Sequence, residues 1–428
     1  MKNYIAARGQ TAAEIAGIFG VDAEVLAANN GVPVSMPLAA GTCITVLNPA
    51  ETHTVREGET LQSIAGRYGT TVRRLYCNNL LLQGRDVIYP GQELIISWER
   101  SPIGEYQIGG YAYPFISRTL LDTVLPFMNY LMPFTYGFMP EGELIELDDG
   151  ALLSRAEAYG TYPVMHLSTL TAEDTFSPEL AENLLDDRGA IAALTGNILR
   201  NLSAKGYYAL DVDFEYLSGD YAVKYAEFIG FLRRTLNAEG YPVMCALAPK
   251  VYGEQPGQLY AGHDYALLGE NANCVLVMTY EWGYSYGPPM PVSPIGSVKR
   301  VLDYAVSVID PGKIFMGISN YGYDFMLPYI PGKSFAPSLS TVEAYRLAAE
   351  KGAEIFYDRT AQTPYFRYSE GGNEHIVFFE DTRSISAKLA LLPEYGLRGG
   401  LYWNLMRQNP QNLISINTLI DFAHPNLF

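Results

Sequence analysis

From Trp98 to the C-terminus, short apolar runs alternate with helical stretches, and no other feature restricts the fold as much. Eight runs qualify as strands: 107–115, 130–138, 163–169, 207–216, 242–250, 274–282, 314–324 and 399–405. They are almost continuously apolar and many end in small or polar residues, as parallel strands covered on both faces do. Helices are expected between them, over 189–203, 221–238, 295–309 and 382–395. Eight β/α units predict an α/β protein with a (β/α)8 barrel over 99–428. A doubly wound open sheet is the alternative, but no GxGxxG turn follows the first run. The stretch after Asp324 is too long for one connection. It holds a helix (340–351) and three strand-like pieces (355–358, 365–369, 375–379). A small α+β insertion of about 325–381, beside the cleft and between strands seven and eight, is expected.

The N-terminal residues follow a different pattern. R-G-Q-T-A-A-E-I-A-G-I-F-G-V, starting at Arg8, returns 49 residues later as E-G-E-T-L-Q-S-I-A-G-R-Y-G-T, starting at Glu57. Gly9 aligns with Gly58, Thr11 with Thr60, and Ile15 with Ile64. Gly20 aligns with Gly69, and the Asn29–Asn30 pair with Asn78–Asn79. Each unit reads strand, helix, helix, strand. In the second, Thr60 caps a helix whose apolar positions are Leu61, Ile64, Ala65 and Tyr68. Gly69 ends it, and Pro90–Gly91 turns into the last strand. The units span 1–48 and 51–97.

Composition narrows the partners. A formal net charge of −17 argues against nucleic acid or an anionic membrane, which need Lys/Arg surfaces. No apolar run approaches the roughly 20 residues that span a bilayer. Residues 1–7 lack the apolar core of a signal peptide, so synthesis in the cytoplasm is expected. Tyrosine is abundant, at 33 against 18 Phe and 3 Trp. Its flat face and hydroxyl suit sugars, although it also fills ordinary cores. The cysteines at 43, 77, 245 and 274 lack CxxC spacing and read as buried thiols.

The chemistry is concentrated in the fourth run, Y-Y-A-L-D-V-D-F-E-Y. Asp211, Asp213 and Glu215 share one face of that strand, while Leu210, Val212 and Phe214 face the helices. Three acids on one buried face repel and lose solvation, so at least one pKa must rise. At the C-terminal end of a barrel strand such a row reads as an active site. A metal site, a solvated edge strand and a buried ion-pair network are the competing readings. No histidine or further acid clusters nearby in sequence, and the flanks are too apolar for an edge.

This row resembles the D-G-x-D-x-D-x-E signature of family 18 glycoside hydrolases. M-T-Y-E-W (278–282) and L-Y-W-N (401–404) extend the likeness. F-E-D-T-R-S-I-S-A-K (379–388) and G-L-R-G-G (396–400) are similar to the family's spore cortex-lytic branch. The repeats resemble LysM modules, which bind N-acetylglucosamine-containing glycans such as peptidoglycan and chitin. The second copy, H-T-V-x-x-G-E-T-L-x-x-I-A, is the stronger, since Ala12 replaces the usual leucine in the first. The resemblance places glycan against Gly58, Glu59, Thr60, Leu61 and Asn79, with Gly9, Gln10, Thr11 and Asn30 in the first copy.

The resemblance also implies a mechanism and a destination. Hydrolysis is substrate-assisted and retaining: Glu215 is acid and then base, and the sugar's own acetamide is the nucleophile. Asp213 holds the acetamide N–H, Asp211 orients Asp213, Tyr280 donates to the acetamide carbonyl, and Trp403 forms the floor. Tyr113, Tyr136, Asn320, Tyr321 and Asp324, near strand ends, are expected to line the cleft. Tyr208 and Ala209 replace the signature's first Asp and Gly, so Asp211 is expected to titrate without that partner. No cofactor or metal is expected, and a monomer is. The implied substrate is peptidoglycan, with chitin as the neighbour and a non-catalytic coat lectin as the rival. Deposition on the spore coat or cortex follows from that substrate.

Overall fold

The computed structural model describes residues 1–173 and 175–428. Its central feature is a closed ring of eight parallel strands. These are β1 (Gly104–Ala112), β2 (Tyr130–Pro133), β3 (Tyr162–Ser168), β4 (Ala209–Asp213), β5 (Val243–Leu247), β6 (Cys274–Val277), β7 (Ile314–Ser319) and β8 (Gly399–Trp403), with β8 pairing back onto β1. The barrel expected from the alternation is therefore present, with six strands inside their predicted runs and β1 and β3 starting three residues and one residue ahead of theirs. The two-residue period divides each strand's side chains. Ala209, Met244, Ala246, Leu276 and Leu401 fill the barrel, whereas Leu210, Val212 and Phe214 pack on the helical shell. Helices Arg188–Lys205, Ala222–Asn237 and Ile295–Val308 fall where periodicity placed them. The segment expected as one helix over 382–395 is two, Thr382–Leu389 and Leu391–Tyr395.

The strands end earlier than their apolar runs. β2 stops at Pro133, and Gly137–Phe138 instead pairs antiparallel with Leu144–Ile145. β7 stops at Ser319, and Tyr321–Leu327 leaves the barrel altogether. It joins a five-stranded antiparallel sheet with Ser338–Ser340, Asn373–Phe378, Thr363–Glu370 and Ile355–Asp358, crossed by helix Thr341–Glu350. The insertion's sheet thus begins at Tyr321, ahead of the expected residue 325. Apolarity continued past both strand ends because these residues pass from one core directly into another.

The two N-terminal repeats fold alike. Lys2–Ile5 pairs with Cys43–Val46, and Pro49–Thr54 with Glu93–Trp98. Thr11 and Thr60 each close a capping box at the first helix, and Gly20 and Gly69 end it in the left-handed conformation. The repeated second asparagine has a structural task. Asn30 donates to the Leu26 and Thr45 carbonyls and accepts from the Thr45 N–H. Asn79 does the same with Leu75 and Ile95. Each carboxamide therefore ties helix to strand with all its groups paired.

Neither module hangs on a tether. The first shares a core with the insertion, where Ile15, Ile44 and Val46 pack in one cluster with Tyr345, Ile355 and Phe366. Gly41 must be glycine at that junction, because a Cβ would lie 1.9 Å from the Ile355 carbonyl oxygen. In the second, Arg73 donates to the carbonyls of Pro126 and Met128 at 2.7 Å each. Asn417 donates to Cys77 and Asn78, and Tyr159 to the Gly84 carbonyl. The four cysteines are buried and free.

Candidate active site

At the C-terminal end of the barrel lies a cavity of about 400 Å³. Asp213, Glu215, Tyr280, Glu281, Trp403, Tyr113 and Phe134 are in its wall. β4 supplies the acids. Asp211 is fully buried within the strand, Asp213 is its last residue, and Glu215 lies two residues beyond it. The row is thus graded from interior to cavity.

Electrostatics follow that gradient. Burial raises Asp211 to about 6, against the lowering effects of His166 and the Tyr111 hydrogen bond. Burial also raises Asp213, to about 7. Glu215 rises to about 8, first by burial and then by repulsion from Asp213 and Glu281. At neutral pH the Asp213–Glu215 pair, which titrates together, therefore holds a proton at the outer end of the row. A carboxylic acid kept protonated in a cleft is what general-acid catalysis needs.

The other walls come from neighbouring strand ends. Tyr280 follows β6 and lies over Gly317 of β7. A Cβ there would sit 2.6 Å from its ring, so the glycine makes room for the tyrosine. Trp403, the last residue of β8, meets Phe134 edge-on at 4.8 Å between centroids, with Tyr111 at 5.6 Å and Tyr113 at 6.1 Å. These rings form an apolar floor beneath the acids.

The sequence-derived set divides on the structure. Glu215, Asp213, Tyr280, Trp403 and Tyr113 come together around the cavity, with Asp211 directly behind them. The remaining cleft candidates lie elsewhere. Tyr136 is completely buried in the shell, bonded to Asp149 and to Lys205. Asn320 is buried at the root of the insertion, its carbonyl accepting from Asn409. Asp324 lies on the insertion sheet, accepting from Tyr368 at 2.5 Å and facing His375 Nδ1 at 2.9 Å. Tyr321 stands behind the wall and donates to Glu281. All four sit in runs extending past strand ends, and the chain turned away before reaching the cleft. Tyr208 stacks on Tyr130 before β4 begins, with Tyr162 against its edge. It is at the opposite end of the barrel from the cavity, so the missing signature acid leaves no gap beside Asp211.

Among the module residues, Glu59, Thr60 and Leu61 border a groove between the second module and barrel helix Gly150–Tyr159. Glu59 is held there by Arg67, His53 and the Arg56 N–H. Gly58 makes the preceding turn at φ 80°. Asn79 and Asn30 are the structural clamps described above and present no free polar group to a ligand. In the first module, Gln10 is bonded to Tyr4 and to the Ala7 N–H, Thr11 is the helix cap, and Gly9 turns at φ 82°.

Three site residues were not singled out from sequence. Tyr111 donates to Asp211 at 2.7 Å. His166 faces the acid pair from β3. Glu281 lines the cavity, accepts from Tyr321 and Tyr323, and is raised by burial. His166 had a visible signal, a lone histidine in the apolar run Y-P-V-M-H-L-S. Glu281 lay inside a motif read only for Tyr280.

Comparison with known proteins agrees with this geometry. A model described as glycosyl hydrolases family 18 matches residues 171–408, and one described as LysM domain matches 53–97. The cortical fragment-lytic enzyme of Bacillus subtilis (strain 168) is 40% identical over 293 residues, 68% of each chain. The crystal structure of the Bacillus megaterium QM B1551 spore cortex-lytic enzyme SleL is similar over 99% of both chains, with TM-score 0.82 and 31% identity. A chitinase from Chromobacterium violaceum shares the barrel at TM-score 0.67 and 22% identity, covering 73% of this chain and 98% of its own.

Proposed function

The chain belongs to the family 18 glycosyl hydrolases, and from that premise we propose that it cleaves N-acetylglucosamine linkages in spore cortex peptidoglycan by substrate-assisted, retaining catalysis. The observation that carries the reading is the Glu215 carboxyl, raised by burial, in the wall of a cavity that it shares with Asp213, Tyr280 and Trp403. Glu215 donates its proton to the glycosidic oxygen as the bond to the anomeric carbon breaks. The acetamide carbonyl oxygen of the same sugar closes onto that carbon, giving an oxazolinium ion. Asp213 accepts a hydrogen bond from the acetamide N–H and offsets the positive charge that develops. Tyr280 donates to the acetamide oxygen, and Trp403 carries the sugar's apolar face. Glu215, now a carboxylate, takes a proton from water as it opens the ring.

The names of the relatives support cortex over chitin as substrate, and so support deposition of the enzyme on the spore. The docked modules support a glycan held at a fixed place relative to the cleft, and a monomer suffices for this arrangement. The test compares wild type and Glu215→Gln on purified cortical fragments and on chitin oligosaccharides, with products read by mass spectrometry. New N-acetylglucosamine reducing ends from cortex, absent with the variant, support the proposal. Faster cleavage of chitin redirects the substrate. Binding without cleavage of either polymer replaces the proposal with a lectin.

A further inference from the structure

Asp211 and His166 are direct neighbours in the parallel register of β4 and β3, and both side chains point into the barrel. The imidazole is wedged in place. Phe134 stacks on it at 4.8 Å between centroids, and the Tyr111 ring meets it edge-on at 5.3 Å. Its Nδ1 lies 2.7 Å from the Thr135 hydroxyl, which is itself 2.9 Å from the Ser168 hydroxyl. Its Nε2 faces the acids, 3.5 Å from Asp213 Oδ2 and 3.9 Å from Asp211 Oδ2. That nitrogen and the Oδ1 atoms of both aspartates are buried and otherwise without a partner.

Two buried lone-pair-bearing groups that face one another repel, so a proton between them is favoured. A Thr135 hydroxyl turned to Nδ1, 2.7 Å away, donates there and leaves the ring's hydrogen on Nε2. The titratable groups facing the ring are Asp211 and Asp213 from β4 and Tyr111 from β1. Phe134 and Thr135, in the loop after β2, add none. Burial lowers the histidine to about 4, so the ring stays neutral at working pH and serves as a donor.

We propose that His166 is a positioning residue, an imidazole whose Nε2–H is directed at the Asp211–Asp213 pair, nearest to Asp213 Oδ2. Tyr111 already donates to Asp211. His166 supplies the pair's second donor, directed at the residue that must be an anion when the sugar's acetamide closes. The histidine is buried and forms no part of the cavity wall. It acts by favouring the ionised form of Asp213 against the effect of burial and by aiming its carboxylate, and so rests on the mechanism proposed above.

The test uses the full chain and two variants. Gln at 166 can place an amide N–H near the Nε2 position, whereas Leu fills the space without a donor. Losing one oriented donor to a charged group in an active site costs about 10²-fold in turnover. His166→Leu is expected to lose about that in kcat with little change in KM, and His166→Gln to recover most of it. Without the donor the aspartates hold protons more tightly. The acid limb of the pH profile should therefore move up by about one pH unit in His166→Leu and much less in His166→Gln.

An independent reading is the nitrogen NMR spectrum of histidine-labelled enzyme, with the signal assigned by its loss in His166→Gln. The expected species is the neutral Nε2–H tautomer down to about pH 5. An Nδ1–H tautomer, or an unmoved acid limb in a folded His166→Leu, overturns the proposal. Turnover surviving in Glu215→Gln overturns the mechanism, whereas the tautomer is read without any activity.

Discussion

Replacing Glu215 by Gln should do two separable things: abolish turnover and stabilise the fold. The second follows from the site's electrostatics. The carboxyl is raised from 4.5 to about 8 by burial and by the charges of Asp213 and Glu281. A group whose folded pKa is raised contributes stability below its unfolded pKa and loses it as pH climbs through the folded value. The wild-type contribution is therefore full below pH 4.5 and gone above about 8. The whole displacement corresponds to about 4–5 kcal/mol at 1.36 kcal/mol per unit. Asp213 titrates with Glu215 and shares that cost, so about 2 kcal/mol is assigned to removing the charge. Gln keeps the shape and has no proton to lose.

The variant should accordingly match wild type near pH 4.5 and exceed it by about 2 kcal/mol near pH 9, which in a chain of this size is roughly 2–4 °C in melting temperature. The assay is thermal unfolding of both proteins across pH 4.5 to 9, alongside hydrolysis of cortical fragments. A stability gap that stays constant with pH, or a variant that melts below wild type at pH 9, would refute the assignment of a buried, protonated acid.

Other perturbations follow from the same structure. Glu281→Gln removes a negative charge that helps hold the proton on Glu215. Since the acid must be protonated, the basic limb of kcat/KM should move to lower pH by about half a unit or more, checked by initial rates between pH 6 and 9. Lys388 is buried and donates to both oxygens of Glu380 at 2.9 and 2.7 Å. Lys388→Met leaves that carboxylate unpaired and should cost about 3–5 kcal/mol in denaturant unfolding, with Glu380→Gln in the same background restoring part of it. Asn79→Ala breaks three hydrogen bonds inside the second module. It should cost about 1–3 kcal/mol and reduce glycan retention only in step with unfolding, since Asn79 is a clamp and not a glycan contact.

The legibility of the fold and site has physical reasons. Strand positions were readable because parallel barrel strands are apolar on both faces, and the acid row because its period is that of a strand. Strand ends were not, because 136–138 and 320–325 keep supplying buried aromatic residues while leaving the barrel for other cores. Tyr136, Asn320, Tyr321 and Asp324 were therefore placed at a cleft they do not line. Asn30 and Asn79, assigned to glycan contact, are paired within their modules, because the same repetition arises when a residue closes a fold. His166 became a site residue only through register, since its neighbour Asp211 lies 45 residues away in the chain. The sharing of cores between modules, insertion and barrel had no sequence signal, because buried apolar residues do not declare their partners.

Stereochemistry tests the central claim most directly. Proton NMR of the first product formed from a β-linked N-acetylglucosamine oligomer, recorded before mutarotation, distinguishes the possibilities. With the sugar's acetamide as nucleophile and Glu215 as acid and base, the new reducing end should appear as the β-anomer. Initial appearance of the α-anomer would mean direct attack by water on the opposite face and would contradict the account.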